Sequence, residues 1–167
     1  MGGGDPLETL ATLSALAARL QAACVARGAT VAVAESCTGG LVGAALTAIP
    51  GSSGYFLGGI VSYADSAKRD LLGVDQAVLE AHGAVSAQAA RAMAVGVRER
   101  FGATLAASVT GVAGPDGGSA AKPVGLTYVG IADDDGEDVR RSVWTGDRAV
   151  NRQASAVAVL EMLLERL

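Results

Sequence analysis

At 167 residues, half of them hydrophobic, the chain has the length and apolar content of one domain with a sizeable core. Its net charge of −4, without a Lys/Arg block or basic residues interleaved with aromatics, argues against nucleic acid as a partner. Two cysteines and one histidine exclude a disulfide framework and a typical structural zinc site.

Residues 1–5 read as a flexible start without the basic and apolar regions of a secretory signal. Residues 7–27 are predicted helical, because Leu10, Leu13, Leu16, Ala17 and Leu20 recur at three- and four-residue spacing and Gly28 follows as a stop. The apolar run within it is interrupted by Arg19 and Gln21 and reads as too short to span a membrane, so a cytoplasmic protein with no membrane contact is expected. A short apolar strand covers residues 30–34. A Glu-Ser-Cys-Thr-Gly-Gly bend follows, then an Ala-rich helix over 41–49. Turn chemistry marks 50–54 as a loop.

Residues 55–63 read as the second strand, with Gly58-Gly59 marking a bulge or a close approach. Short helices follow over 64–72, with Asp65 or Ser66 as cap, and over 76–81, ending near His82-Gly83. A longer helix covers 86–101, from Ser86 as N-cap to Gly102 as stop. The third strand is residues 104–109, and a glycine-rich loop follows at 110–118. Strand four is 124–131, an acidic turn spans 133–136, and strand five, 138–144, alternates as an edge strand does. Thr145 or Asp147 caps a last helix over 148–167. Helices interleaved with apolar strands predict a three-layer α/β/α sandwich. The short turn between strands four and five makes that pair antiparallel, so the sheet of about five strands is mixed. With 4% aromatic residues, its core has to be built from Ala, Val and Leu.

Three features lie just beyond strands one, two and three: Ser36, Tyr63 with Lys68, and Thr110 with its glycine loop. If those strands run parallel, all three meet at the carboxyl edge of one sheet, where open α/β sheets bind ligands. Ser36 and Thr38 sit on the bend before a helix, where free N–H groups and the positive end of the helix dipole converge. That environment suits an oxyanion or a phosphate, and it equally suits a plain helix cap. Thr38, Gly39 and Gly40 are the substrate-facing positions of the bend, since the glycines let a ligand approach the backbone. Cys37 reads as a small buried hydrophobe.

A nucleophilic serine needs a base. His82 is the one histidine and falls at the end of a short helix, which argues against a Ser-His-Asp triad. Lys68, one of two lysines, can serve if desolvation lowers its pKa; its alternative is a solvated surface charge. Tyr63 is placed to hydrogen-bond the pair, or is an ordinary strand-end aromatic. The loop from Thr110 through Gly111 and Gly114 holds four glycines and one proline in nine residues and can turn N–H groups toward an anion. It fits neither the P-loop nor the Gly-x-Gly-x-x-Gly pattern. Arg148 can grip a phosphate or carboxylate, and Arg152 lies one turn on.

Ala34-Glu35-Ser36-Cys37-Thr38-Gly39-Gly40, Val61-Ser62-Tyr63 with Lys68, the stretch from Thr110 to Gly118, Lys122-Pro123-Val124-Gly125 and Thr145-Gly146-Asp147-Arg148 occur in that order. Together they closely resemble the CinA C-terminal domain family, including its stand-alone nicotinamide-nucleotide amidases. The resemblance covers the chain from about Leu7 to its end. It implies an amidohydrolase that converts nicotinamide mononucleotide and water to nicotinate mononucleotide and ammonia. Ser36 would be the nucleophile, Lys68 the general base and Tyr63 its hydrogen-bonding neighbour. The Thr110 loop and Arg148 would help hold the nucleotide. The resemblance also implies a three-layer fold and a homodimer or higher oligomer; the mechanism calls for no metal and no cofactor. The competing expectation is a non-catalytic module that binds a pyridine nucleotide or related phosphate.

Overall fold

The computed structural model describes residues 6–167, so the flexible start expected for residues 1–5 lies outside the described residues. One sheet carries the fold. Its strands are β1 (Val31–Glu35), β2 (Phe56–Val61), β3 (Leu105–Gly111), β4 (Leu126–Asp133) and β5 (Gly136–Val143), in the spatial order β2-β1-β3-β4-β5. The first three run parallel, whereas β4 is antiparallel to β3 and β5 to β4. The sheet is therefore mixed and five-stranded, with the predicted edge strand β5 at one side.

The helices are α1 (Pro6–Arg27), α2 (Leu41–Thr47), α3 (Asp65–Leu72), α4 (Gln76–His82), α5 (Ala87–Phe101) and α6 (Arg148–Arg166). α1, α2 and α6 cover the face carrying Val31, Val33, Leu105, Ala107 and Val109. α3, α4 and α5 cover the face carrying Ala32, Ala34 and Ala106. The period-2 alternation of each strand thus sorts larger residues to one layer and the smallest to the other. Small residues let α5 lie close on the sheet. Ser108 Oγ donates to the Ala90 carbonyl at 2.5 Å, and a Cβ on Gly130 would come within 2.5 Å of that same oxygen.

The closest approach is between α5 and the end of α3, where a Cβ on Gly96 would lie 1.8 Å from the Leu72 carbonyl oxygen. Gly96→Ala gains about 1 kcal/mol of helix propensity but meets rigid backbone, and overpacking costs about 1–3 kcal/mol or more. The clash wins. Denaturant unfolding is expected to show a net loss, up to about 2 kcal/mol from those figures, and an unchanged or raised midpoint would contradict this packing.

Several expectations are corrected. Leu10 leaves the α1 stripe and is 51% exposed, while Leu13, Leu16, Ala17 and Leu20 are buried as expected. The stretch Glu8–Arg27 is long and apolar enough to cross a membrane by length and composition, against the expectation that it is too short; here its stripe packs against α6. α3 starts at Asp65 with Ala64 in the cap position and no side-chain bond, so neither Asp65 nor Ser66 caps it. β3 extends through Thr110 and Gly111, which pair with Tyr128 and Thr127 of β4. The bulge expected at Gly58-Gly59 is real: the β1–β2 register skips Leu57, and Gly59 packs against Val33.

Candidate active site

Ser36 is the first residue past β1, in the middle of the parallel strands. Its N–H donates to Val109 O at 3.0 Å, which extends the pairing with β3 by one residue. The chain then turns sharply, with Gly39 N–H donating to Ser36 O and with φ of +59° at Gly39 and +100° at Gly40. Side chains rarely adopt these angles, so the two glycines make the turn.

Glu35 is the functional neighbour that sequence reasoning missed. It is 2% exposed, and its carboxylate accepts from the N–H groups of Gly40, Val42 and Gly43 at 2.8–3.1 Å and from the Thr38 hydroxyl. The cap of α2 is therefore Glu35, not Ser36 or Thr38. The positive end of α2 already holds a carboxylate, so those N–H groups are not open to a phosphate or an oxyanion. The signal was a lone acid in an otherwise apolar buried strand, three residues ahead of a Thr-Gly-Gly turn. Glu35→Ala would strand these donors in the interior. A loss of about 2–4 kcal/mol is expected from thermal or denaturant unfolding; wild-type stability would contradict the capping role.

Lys68 lies in the first turn of α3 and is 1% exposed. Its Nζ is 3.0 Å from Ser36 Oγ, 2.7 Å from Ser62 O and 3.3 Å from Tyr63 O. No carboxylate forms an ion pair with it among the described residues. Burial pulls its pKa below the ordinary lysine value of 10.5, with Asp65 and Cys37 acting the other way. In the neutral amine two hydrogens serve the two carbonyls, and the lone pair faces the Ser36 hydroxyl. Ser36 is itself 8% exposed. The lysine and the serine that sequence analysis singled out are thus in contact.

The remaining candidates fall into place less uniformly. Tyr63 neighbours Lys68 through its backbone carbonyl, not its phenol. The ring is 59% exposed and its hydroxyl accepts from Arg148 Nη2 at 3.0 Å. Tyr63 lies beyond the end of β2, where the chain swings outward into α3, and this carries the ring away from the buried amine. Arg148 also donates to Gly114 O at 2.8 Å, so it bridges the glycine loop and the end of β2. Thr110 spends its hydroxyl on Ala84 O at 2.8 Å; it is a buried strand residue, not a loop donor. Gly111 lies where a Cβ would come within 2.6 Å of Leu126 O and 3.2 Å of Cys37 Sγ, so it lets β3 pack under the Ser36 turn. Gly39 N–H serves Ser36 O and Gly40 N–H serves Glu35. The Thr38 N–H, by contrast, has no acceptor among the described residues, and the Cys37 N–H meets only its own thiol.

α6 gathers these pieces. Asp147 caps it, accepting from Val150 N–H. Buried Asn151 donates to Ala113 O and accepts from Gly146 N–H, and Arg152 donates to Cys37 O and Thr38 O. A cleft of about 520 Å³ lies beside the loop, lined by Ala113, Pro115, Val124, Gly146, Asp147, Arg148 and Ala149. Cys37 is buried and its thiol is pushed up to about 11, which leaves it a protonated neighbour and not a thiolate nucleophile. No group of three His, Cys, Asp or Glu side chains is placed to hold a metal ion among the described residues.

The profile of the CinA C-terminal domain matches residues 13–167. The chain is similar to a CinA-like protein of Salinibacter ruber, 52% identical over 136 residues, covering 81% of this chain and 33% of that one. It is likewise similar to a CinA-like protein of Chlorobaculum tepidum, 54% identical over 146 residues and covering 84% and 34%. The chain thus spans about a third of the length of the curated relatives it matches. Among solved structures, the competence/damage inducible protein CihA of Agrobacterium tumefaciens superposes with a TM-score of 0.88 at 43% identity, covering 92% of this chain and 94% of that one. A competence-damaged protein (CinA) superfamily protein of Escherichia coli gives 0.90 at 30% identity, covering 93% and 90%.

Proposed function

This chain belongs to the CinA C-terminal domain family, and on that premise we propose that it is a nicotinamide-nucleotide amidohydrolase working through a Ser36–Lys68 dyad. The substrate in this reading is nicotinamide mononucleotide, and the products are nicotinate mononucleotide and ammonia. One observation carries the reading: a lysine 1% exposed, without a carboxylate partner among the described residues, sits 3.0 Å from a serine hydroxyl at a strand end. Keeping such an amine buried is costly, and a role as a base for the serine accounts for it.

Neutral Lys68 takes the Ser36 proton as Oγ attacks the carboxamide carbon. The tetrahedral oxyanion is received by the Cys37 and Thr38 N–H groups, each such donor contributing about 3–4 kcal/mol in comparable sites. The protonated lysine returns its proton to the departing nitrogen, ammonia leaves, and an acyl ester remains on Ser36. Water, deprotonated by Lys68, then cleaves the ester. With the α2 N-terminus filled by Glu35, the anionic phosphate falls to Arg148, whose guanidinium is exposed beside the glycine loop. The positive charge of the pyridinium ring makes its carboxamide more electrophilic. The unpaired thiols Cys24 and Cys37 fit a reducing, cytoplasmic setting.

Ammonia release from nicotinamide mononucleotide tests the proposal. Turnover by the wild type supports it. Tight nucleotide binding with no ammonia would instead favour a non-catalytic pyridine-nucleotide module.

A further inference from the structure

We propose that Arg152 is the positioning residue of the oxyanion site, pinning the Cys37 and Thr38 carbonyls so that the Thr38 N–H faces the carbon attacked by Ser36. The inference rests on the serine-nucleophile reading above. Arg152 Nε lies 3.2 Å from Cys37 O and Nη2 lies 2.7 Å from Thr38 O. No carboxylate pairs with this guanidinium among the described residues. Its charge is committed to two consecutive backbone dipoles.

Peptide planarity turns that contact into an aiming device. In a trans peptide the C=O and the N–H of one unit point in opposite directions. Cys37 C=O and Thr38 N–H share a unit, so holding the oxygen on the α6 side directs the hydrogen to the other side. Ser36 C=O and Cys37 N–H share the preceding unit, and that oxygen is held by Gly39 N–H at 3.0 Å. Thr38 C=O and Gly39 N–H share the next unit, which is held at both ends, its oxygen by Arg152 and by Leu41 N–H at 3.2 Å and its hydrogen by Ser36 O, so the unit that depends on Arg152 is the Cys37–Thr38 one. From Ser36 to Gly39 every peptide is therefore fixed, and the ends not held by another residue are the Cys37 N–H, which meets only its own thiol, and the Thr38 N–H.

The restraint matters because the turn is intrinsically loose. Gly39 and Gly40 follow at once, and both are in the left-handed region. A flip of the Cys37–Thr38 unit would present a carbonyl oxygen to the oxyanion in place of a donor. The planar fork of arginine spans two carbonyls, whereas a lysine ammonium at the same place engages one. A Cβ on Gly39 would stand 3.4 Å from Arg152 Nη2, so the turn is already seated on the guanidinium.

The test compares Arg152→Met and Arg152→Lys with the wild type in two assays. One is ammonia release from nicotinamide mononucleotide. The other is the labelling rate with a fluorophosphonate, in which Ser36 Oγ bonds to phosphorus, fluoride leaves and Lys68 takes the proton. Removing an oxyanion donor costs about 100- to 1,000-fold, so loss of its alignment is expected to lower kcat by about 30- to 100-fold in Arg152→Met. KM stays within about threefold, since no substrate contact is lost. Labelling slows in parallel, because the phosphoryl oxygen occupies the same site. Arg152→Lys falls between, and the pH midpoint of the rising limb is unmoved because Lys68 is untouched. Three results overturn the proposal: wild-type kcat and labelling in Arg152→Met; a rise in KM with kcat unchanged, which makes Arg152 a substrate contact; or a loss that tracks the unfolded fraction measured by circular dichroism. A wild type that labels at Ser36 but releases no ammonia fails the substrate reading alone, and the labelling series still decides on Arg152. A wild type that does neither fails the serine-nucleophile reading itself.

Discussion

Ser36→Ala is expected to lose more than a hundredfold of its turnover with nicotinamide mononucleotide while retaining nucleotide affinity. The two parts of that result have different sources. In the proposed mechanism the hydroxyl forms the acyl bond, so without it catalysis falls to what orientation and the oxyanion donors still supply, about 1,000- to 10,000-fold over water in comparable hydrolases. Affinity, in contrast, is assigned in the proposal to groups that do not include the Ser36 hydroxyl: Arg148, the glycine loop and the cleft beside them. The fold should hold as well. Ser36 keeps its place through its N–H bond to Val109 O, and its hydroxyl makes one bond, to Lys68. Calorimetric binding and an ammonia assay on the same preparation check both halves. Full activity in this variant refutes the nucleophile.

Lys68→Met is expected to abolish turnover to a similar degree and also to change how stability depends on pH. Burial lowers the lysine pKa in the folded state, while in the unfolded chain it returns to about 10.4. Between the lowered value and about 10.4 the unfolded state binds more protons than the folded one. Unfolding free energy therefore rises with pH across that window. As pH falls through the lowered value the folded protein has to accept a buried charge, and below it the loss is complete. Lys68→Met removes this slope, so the two stability curves should converge or cross toward the alkaline end. Activity has the same sign. The wild type works with a neutral amine, and kcat/KM should climb with pH through the lowered lysine value. A flat wild-type pH–rate profile, or an identical stability slope in Lys68→Met, would show that Lys68 is not the titrating base.

Much of the layout was legible because it is periodic. Val31, Ala32, Val33 and Ala34 read as a strand buried on both faces, and the acidic turn ending at Gly136 required an antiparallel pair. Once the first three strands are parallel, Ser36 and Lys68 fall at one edge of the sheet, so their meeting was readable from chain order and the rule for open α/β sheets. Where side chains point at strand ends was not legible, since a shift of one residue reverses the face. Thr110 was read as a loop residue and is the next-to-last residue of β3, with its hydroxyl turned to Ala84 O. Tyr63 was read as a partner of the dyad, but its phenol points to Arg148. The roles of Glu35, Asn151 and Arg152 were hidden for another reason. Asn151 and Arg152 act on backbone groups of remote segments, up to 115 positions away in the chain, and such contacts leave no local pattern; Glu35 acts within eight residues, and its one trace is an acid in an otherwise apolar strand.

The family relation and the dyad geometry stand on different footings. Membership follows from a profile match over residues 13–167 and from relatives more than half identical. The proposed activity rests on what a buried amine with a lowered pKa can do beside a serine hydroxyl, and on the Cys37 and Thr38 N–H groups that follow it.

A crystal structure with nicotinate mononucleotide bound addresses that chemistry most directly. The account predicts the carboxylate carbon at about 3–3.5 Å from Ser36 Oγ, with one carboxylate oxygen on the Cys37 and Thr38 N–H groups and the phosphate on Arg148. A nucleotide bound with its carboxylate turned away from Ser36, beyond reach of attack, would contradict it.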